Sequence, residues 1–154
     1  MASPVVTNDL TLGPSIHENG TITNNDHIAV LPLSPSHGNL QARDGCVRQG
    51  TLNVQHAVNM ANELQNNNPD ALPNAPKRSW NTWSWGEARI CIYNNYYFEN
   101  THVKRFEVGW VIRHIYNLCC NPGGNSMCAG SDSTCHGDSG LSLKAVLQNS
   151  AYSC

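Results

Sequence analysis

The sequence predicts an α+β fold: a compact two-layer sandwich in which an antiparallel sheet of three to four strands carries two amphipathic helices on one face. Three observations lead to this prediction. Two segments repeat apolar residues with helical spacing, short alternating segments follow them, and seven cysteines occur between residues 46 and 154. The order helix, hairpin, helix, strand excludes a simple doubly wound sheet.

Length and charge narrow the function classes. A chain of 154 residues is long enough for one domain and too short for two ordinary ones. Its net charge is −2 and it lacks a cationic run, which disfavours nucleic acid and anionic membranes as partners. No apolar stretch approaches the roughly 20 residues of a spanning helix, so we expect no membrane span.

The first 43 residues differ in composition from the rest of the chain. They contain no cysteine and no aromatic residue, and they hold four of the eight prolines. Such a segment buries little apolar surface by itself, so we expect a flexible arm whose strand candidate, residues 28–33, is an edge strand because of Pro32. The sequon Asn19-Gly-Thr21 makes Asn19 a candidate glycosylation site in this arm.

The arm ends at a candidate processing site. Leu40-Gln-Ala-Arg43 resembles the kexin-type sites in pro-segments of secreted fungal proteins. Residues 1–43 are therefore interpreted as a propeptide cut after Arg43 or, equally, as an arm that is never cut. The remaining residues, 44–154, are expected to form one cysteine-rich α/β sandwich domain.

The first predicted helix begins near Thr51, the expected N-cap. Apolar residues from Val54 to Leu64 fall at i, i+3, i+4, i+7 and i+10, which is one face of an amphipathic helix. Asn66-Asn-Asn-Pro69 ends this pattern. A proline-rich linker over residues 66–79 follows, and its Lys77-Arg78 pair makes Arg78 a second candidate processing site.

A strand is predicted at Glu87 to Tyr93, where apolar residues alternate as in a half-buried strand. Asn94-Asn95 is typical of a turn, because asparagine tolerates positive φ. Tyr96 to Val103 is therefore expected to return as the second strand of a hairpin.

The second predicted helix runs from Phe106 to Cys120 and ends at Asn121-Pro-Gly-Gly124. Residues 121–140 are expected to be a loop, and Gly140 to Gln148 a last strand. The apolar face of the second helix consists of Val108, Val111, Ile112, Ile115 and Leu118.

The cysteines predict about three disulfides. Their spacings contain no Cys-x2-Cys pair, so we expect neither zinc nor another cofactor. Adjacent Cys119 and Cys120 would be strained if bonded to each other and are expected to tie one helix end to two places. A local disulfide between Cys128 and Cys135 is feasible, and Cys154 is expected to hold the C-terminal tail. The full set is Cys46, Cys91, Cys119, Cys120, Cys128, Cys135 and Cys154.

Seven cysteines with few charged residues are typical of a secreted, extracellular protein. Met1-Ala-Ser-Pro lacks the basic start and apolar region of a signal peptide, so either the protein is not secreted or a signal was removed before this segment. We prefer the second, because the cysteines otherwise have no explanation. An odd count leaves one cysteine, which is either free or bonded to a second chain. The expected state is a monomer or a disulfide-linked dimer.

Two enzyme hypotheses follow from short motifs. Cys135-His-Gly-Asp-Ser-Gly140 resembles the nucleophile loop of trypsin-like serine proteases, which would make Ser139 the nucleophile of a hydrolase. A serine nucleophile needs a base and a group that orients it, and no segment like Ala-Ala-His-Cys precedes a histidine. An unpaired thiol near His114 or His136 is the other hypothesis, which neighbouring disulfides disfavour. We expect a turn at this motif and no enzyme.

Three tryptophans form the candidate ligand surface. Alternate strand residues share a face, so Trp83 and Trp85 can lie together and form, with Trp80, a platform for sugar rings. Large aromatic residues also build the core of a small domain, which is the interpretation that we prefer. A carbohydrate-binding module or a protease inhibitor is therefore the second function class.

The pattern Trp83-Ser-Trp-Gly-Glu-Ala-Arg-Ile-Cys-Ile-Tyr93, the helix beginning Val108-Gly-Trp-Val-Ile, and Cys119-Cys-Asn-Pro-Gly-Gly124 together resemble a broad group of proteins. These are small cysteine-rich proteins secreted by filamentous fungi, including necrosis-inducing effectors and relatives of virally encoded killer toxins. The resemblance covers about residues 46–154. It implies a compact α/β sandwich with a late strand close to the C-terminus.

The same resemblance implies a function by binding. Such proteins act on host tissue as virulence factors or on competing microbes as toxins. The expected partner is a protein of a host or competitor, or a wall polysaccharide.

Overall fold

The computed structural model describes residues 16–22, 46, 51–120 and 127–154, which contain two helices and nine strands. The helices are α1 (Val54–Asn66) and α2 (Arg105–Cys119). The strands are β1 (Ile16–Thr21), β2 (Leu52–Asn53), β3 (Asn74–Ala75), β4 (Ser79–Trp85), β5 (Ala88–Asn94), β6 (Thr101–His102), β7 (Met127–Cys128), β8 (Ser131–His136) and β9 (Ser142–Asn149).

The main sheet has five antiparallel strands in the order β1-β4-β5-β9-β8. The α+β class is confirmed, and the sheet is larger than the three to four strands predicted. Two short ribbons, β2 with β7 and β3 with β6, connect the ends of the main elements. Neither described helix is long and apolar enough to cross a lipid bilayer.

The sheet buries apolar side chains on both faces. The larger cluster combines both helices with alternate strand residues such as Ile90, Ile92 and Leu147. The smaller cluster uses the intervening strand residues, whose side chains point to the other face of the sheet. It consists of Ile22, Cys91, Tyr93 and Val146, with Trp80 and Cys154 packed against it. The adjacent Val146-Leu147 pair, which interrupts the alternation in the sequence, therefore belongs to a strand that is covered on both sides.

The first helix begins two residues later than predicted. Asn53, and not Thr51, is its N-cap, because the Asn53 side chain accepts a hydrogen bond of 2.8 Å from the amide of Gln55. The apolar face is confirmed, with Ala57, Ala61 and Leu64 in the core.

The second helix is found one residue from the predicted start, and it packs on α1 through a glycine. A Cβ at Gly109 would collide with the side chain of Gln65 and approach the carbonyl oxygen of Ala61, so glycine permits the close contact. Leu118 was predicted on the buried face and is instead exposed, while Tyr116 is buried. With 3.6 residues per turn, Leu118 lies about 80° around the helix axis from Val108, at the margin of the apolar face.

The hairpin prediction is wrong. β5 pairs with the preceding strand β4, through a turn at Gly86, and not with residues after Asn94. Gly86 has φ +58°, a conformation that favours glycine, and the next amide, of Glu87, donates to Nδ1 of His56 on α1 at 2.9 Å. Residues 95–100 contain no strand, and only Thr101–His102 pairs, with β3.

Residues 131–136, predicted as part of a loop, form strand β8 at the edge of the sheet. Its sequence, Ser-Asp-Ser-Thr-Cys-His, is polar because an edge strand needs apolar side chains only where it meets the core. Cys135 is the fully buried member, and Asp132 forms a 2.5 Å ion pair with Lys144 on β9. The last strand is found close to its predicted position.

Three disulfides are present, as predicted in number. Cys46 bonds Cys119, Cys91 bonds Cys154, and Cys120 bonds Cys128. The adjacent cysteines at the end of α2 thus reach two different places, and the C-terminal residue is tied to β5. The local disulfide between Cys128 and Cys135 is wrong, because Cys128 bonds Cys120 and Cys135 is a buried free cysteine.

The N-terminal segment contributes a strand that the sequence did not predict. β1 pairs along β4 at the outer edge of the sheet, with Asn19 opposite Asn81. Asn19 is exposed, so its position is compatible with a glycan. The strand candidate at residues 28–33 and the processing residue Arg43 lie outside the described residues, and the boundary of the arm at residue 43 stays a prediction.

Candidate functional site

A polar groove of about 560 Å³ opens where the β3–β6 ribbon meets the turn between β8 and β9. Three of its lining residues come from the ribbon, two come from the turn, and the others adjoin the ribbon strands. The lining residues, which define the polar groove, are Asn74, Pro76, Asn100, Thr101, His102, Asp138 and Ser139.

The turn is built by the motif that resembles a protease loop. The amide of Gly137 donates to the carbonyl of Leu141, and the amide of Gly140 donates to the carbonyl of Gly137, both at 2.9 Å. Gly140 has φ +93°, and a Cβ at Gly137 would collide with Thr101. Glycine at these positions allows a tight turn that lies directly against β6, which confirms the predicted turn.

Asp138 joins this turn to β6. Its amide donates to the carbonyl of His102 at 2.8 Å. One carboxylate oxygen accepts from the amide of His102 at 3.1 Å and from the hydroxyl of Thr101 at 3.2 Å. The other lies 3.5 Å from Nδ1 of His102. The hydrogen bond from the His102 amide, followed by the bond from Thr101 and the nearby imidazole, lowers the pKa of Asp138 below its usual value.

The negative charge of Asp138 decides which hydroxyl donates in the hydrogen bond between Thr101 and Ser139. Their oxygens are 2.7 Å apart. An ionised Asp138 only accepts hydrogen bonds, so the single proton of Thr101 points to Asp138. Ser139 must then donate its proton to Thr101, and the remaining lone pairs of Ser139 are available to accept from a ligand.

Ser139 is therefore placed differently from a serine nucleophile. In the part of the chain that the structure describes, its hydroxyl bonds to Thr101, which is not a base, and the nearby imidazole of His102 lies against Asp138. Nucleophilic catalysis requires a base at the serine oxygen. Ser139, the residue of the hydrolase hypothesis, lies in the groove with His102, but no hydrogen bond joins this serine to that imidazole.

An exposed loop of residues 95–100, here the aromatic loop, enters the groove at Asn100. Asn94 holds it: its side-chain amide donates to the carbonyl oxygens of Ala75 and Glu99, at 2.8 and 2.9 Å. Tyr97 lies under the guanidinium of Arg78, whose Cζ is 4.6 Å from the ring centroid. Phe98 is 88% exposed. A fixed loop thus presents an aromatic ring to solvent two residues before the groove.

The three tryptophans do not form a common platform. Trp83 and Trp85 share a face of β4 as expected, but that face is the core, and Trp83 is 0% exposed. Trp80 lies on the opposite face, packed against the smaller cluster. The prediction that these residues build the core holds for Trp83, and the most exposed aromatic residue in the described part of the chain is Phe98.

Cys135 is the unpaired cysteine, and it is fully buried. Burial, together with the negative charge of Glu107, raises the pKa of its thiol far above the usual range. A protonated, inaccessible thiol is a poor nucleophile. It also cannot reach a second chain unless the sheet opens, so the folded domain offers no route to a disulfide-linked dimer through Cys135.

Arg78, the candidate processing residue, is built into the fold at the start of β4. Its amide donates to the carbonyl of Tyr96 at 3.1 Å, and its carbonyl accepts from the amide of Ile22 at 2.9 Å. It has φ +51°. A protease that needs an extended substrate strand would have to unfold this segment before cutting it.

Sequence reasoning missed most of the groove. It singled out Ser139, but not Thr101, His102 or Asp138 as its partners, since these pairs lie 36 to 38 residues apart. The available signal was Cys135-His-Gly-Asp-Ser-Gly140, whose glycines indicate close backbone contact. Comparison of the sequence with protein-family models found no match, and comparisons with curated proteins and with solved structures found none either.

Proposed function

We propose that this chain is a secreted effector or toxin-like protein that acts by binding a target of a host or of a competing microbe, without catalysing a reaction. The binding site in this proposal is the polar groove with the aromatic loop. The observation that carries it is the exposed ring of Phe98 on a loop held by Asn94, beside a groove whose polar side chains are already hydrogen-bonded to one another.

Preorganisation is the physical support for a binding site here. Side chains and loops that are ordered before a ligand arrives lose little conformational entropy when it binds. Thr101, Asp138 and Ser139 are ordered by their mutual hydrogen bonds, and Asn100 is ordered because its side chain accepts from the amide of Lys77 at 2.8 Å. An exposed aromatic residue next to such a surface is typical of a binding hot spot.

Secretion is the second part of the proposal. Three disulfides in a chain of this size are typical of oxidising compartments. In this proposal the sheet and helices form the two-layer sandwich expected from the resemblance to secreted fungal effectors. The cross-links keep the domain folded outside the cell, where proteases act on any unfolded fraction.

The test is a dose response of the purified, oxidised protein on host tissue and on cultures of competing microbes. We expect cell death or growth inhibition, with Phe98→Ala lowering the potency about tenfold, which is a typical hot-spot effect. The matched control is Phe106→Ala, another exposed phenylalanine, which lies on α2 and should leave the potency unchanged.

A third variant separates binding from hydrolysis. Ser139→Ala removes one acceptor from the groove and should change the potency less than Phe98→Ala does. Complete loss of activity in Ser139→Ala, with full activity in Phe98→Ala, would favour the hydrolase. Equal activity of Phe98→Ala and the wild-type chain would contradict the proposed binding surface.

A wall polysaccharide is the second candidate target, favoured by the mixture of donors and acceptors in the groove. Ser139 and Asp138 offer acceptor oxygens, while the NH2 group of Asn100 offers donors, because its oxygen is bonded to Lys77. Neighbouring sugar hydroxyls both donate and accept, and they match such a set. Calorimetry with chitin and β-glucan oligosaccharides tests this candidate, with Phe98→Ala and Phe106→Ala as the variant and its control.

A further inference from the structure

The outer edge of β4 carries a second, independent feature. β1 is the only described strand that covers this edge, and among the described elements its substantial contacts are all with β4. Five of its six residues are exposed, and the sixth is half-buried. All seven cysteines follow residue 45, so no disulfide anchors β1, while the strands behind it belong to the cross-linked part of the chain.

Beneath β1 lies a tryptophan with an unusual environment. Trp83 is fully buried, and its ring NH has no hydrogen-bond partner among the described residues. The imidazole of His17 on β1 stacks on the indole with 4.5 Å between ring centroids and 14° between planes. The same imidazole bonds through Nε2 to the Asn81 side chain at 2.8 Å. If β1 detached, one face of the Trp83 indole would become exposed, and the ring NH of Trp83 would be available to donate a hydrogen bond.

Two further contacts define what this edge accepts. At Gly20 the backbone lies against the indole of Trp80, and a Cβ there would collide with the ring. One residue beyond β1, Ile22 is buried in the smaller cluster, and its amide donates to the carbonyl of Arg78. The edge thus fits an extended segment with a planar ring over Trp83 and a glycine against Trp80. An apolar residue follows two positions after that glycine.

We propose that β1 is a displaceable cover, and that the β4 edge beneath it binds an extended peptide strand of a partner protein with the pattern of residues 16–22. An unpaired strand edge is a ready template for such pairing, and main-chain hydrogen bonds with pockets for alternate side chains are the known basis of strand addition. The cover is needed because an open edge would otherwise pair with other chains. The residues of this edge are not among those that line the polar groove, so different variants test the two proposals.

The test uses the full chain with Gly20→Val, which places a branched side chain against Trp80. We expect faster hydrogen exchange of the β4 amides that face β1, while the amides of β5 and β9 exchange as in the wild-type chain. Acrylamide should quench the summed fluorescence of the four tryptophans more strongly than in the wild-type chain, because Trp83 becomes accessible. His17→Ala, which removes the ring over Trp83, should open the same edge. The matched control for Gly20→Val is Glu18→Val, because Glu18 is exposed and lies on the same face of β1 as Gly20. This variant should leave β1 in place.

Binding is measured with a capped synthetic peptide of residues 16–22. In the wild-type chain β1 competes at an effective concentration in the millimolar range, so we expect the peptide to bind Gly20→Val at least tenfold more tightly. A peptide with valine at the glycine position should not bind. Three results would each overturn the proposal. The β4 amides could exchange at the wild-type rate in both variants, the whole sheet could unfold in Gly20→Val, or the exposed edge could fail to bind the peptide.

Discussion

Removal of the Cys91–Cys154 disulfide should destabilise the domain more than removal of Cys120–Cys128. The first bridge spans 63 positions in sequence and the second spans 8. The loop-entropy relation gives about 4.3 kcal/mol for the long loop and about 2.5 kcal/mol for the short one, a difference of about 1.8 kcal/mol. The comparison uses two double variants, Cys91→Ala/Cys154→Ala and Cys120→Ala/Cys128→Ala.

Local packing increases the expected difference. Besides the bridge, hydrogen bonds from three side chains hold the tail that carries Cys154. The hydroxyl of Tyr93 donates to the carbonyl of Cys154, and the side chain of Arg89 donates to the carbonyl of Tyr152, both at 3.1 Å. The side-chain amide of Gln148 donates to the carbonyls of Tyr152 and Ser153 at 3.1 and 3.2 Å. Without the bridge the tail frays more easily, and Cys91, which is fully buried beneath it, loses its cover.

The assay is guanidinium unfolding followed by tryptophan fluorescence, with the m-value compared among the variants and the wild-type chain. The free energy of unfolding should fall in both variants, and further in the long-loop variant. An equal or larger loss in Cys120→Ala/Cys128→Ala would refute the reasoning, because the loop lengths then would not govern the stabilisation.

Three further predictions concern single residues. Because burial raises the pKa of Cys135, its thiol should not react with a disulfide reagent at pH 8 until denaturant is added; rapid labelling of the folded protein would contradict its burial. Trp83→Ala should lower the unfolding free energy by about 3 to 5 kcal/mol, and Trp80→Ala, which is half-buried, should lower it less in the same titration. The pKa of Asp138 is lowered, so its contribution to stability is complete above about pH 3.9, its unfolded pKa, and is lost as the pH falls through the folded pKa. Asp138→Asn should therefore lose less stability than the wild-type chain between pH 5 and pH 2, measured by thermal unfolding.

The helices and the last strand were predictable because the spacing of their apolar residues matches the face that is buried. Ala57, Ala61 and Leu64 lie on the predicted face of α1, as Val108 and Ile112 do on α2. The edge strands β1 and β8 were not predictable in this way. Within the described residues each of these strands pairs on one side only, so polar side chains are tolerated in them and the alternation disappears.

The hairpin was misassigned because two segments around β5 carry similar signals. Asn94-Asn95 has the composition of a turn, and it does leave the sheet, but Asn94 is buried and uses its side chain to hold the aromatic loop. The turn that joins two strands is at Gly86, where the positive φ shows why glycine is present. Composition indicates where a chain turns, and the pairing partner depends on which strand can bury the facing side chains.

The groove depends on contacts that no local pattern encodes. The glycines around Ser139 indicate a tight turn, but the identity of Thr101 as its hydrogen-bond partner follows from the placement of β6 beside that turn. The chemistry changes with the partner. A serine bonded to an imidazole is a candidate nucleophile, whereas one bonded to a threonine that already serves a carboxylate is an acceptor in a binding surface.

The disulfide framework also explains why the N-terminal strand can act as a cover. The larger cluster combines side chains of the helices and of the sheet, while the smaller cluster is covered by the C-terminal tail, which the Cys91–Cys154 bridge holds in place. Among the described residues of the N-terminal segment, the member of that cluster is Ile22, which follows β1 directly. Because the bridge retains Cys91, Tyr93 and Val146 beneath the tail without β1, the sheet can lose its outer strand and keep its second face closed. The same cross-link that stabilises the domain thereby makes the β4 edge separable from the rest of the fold.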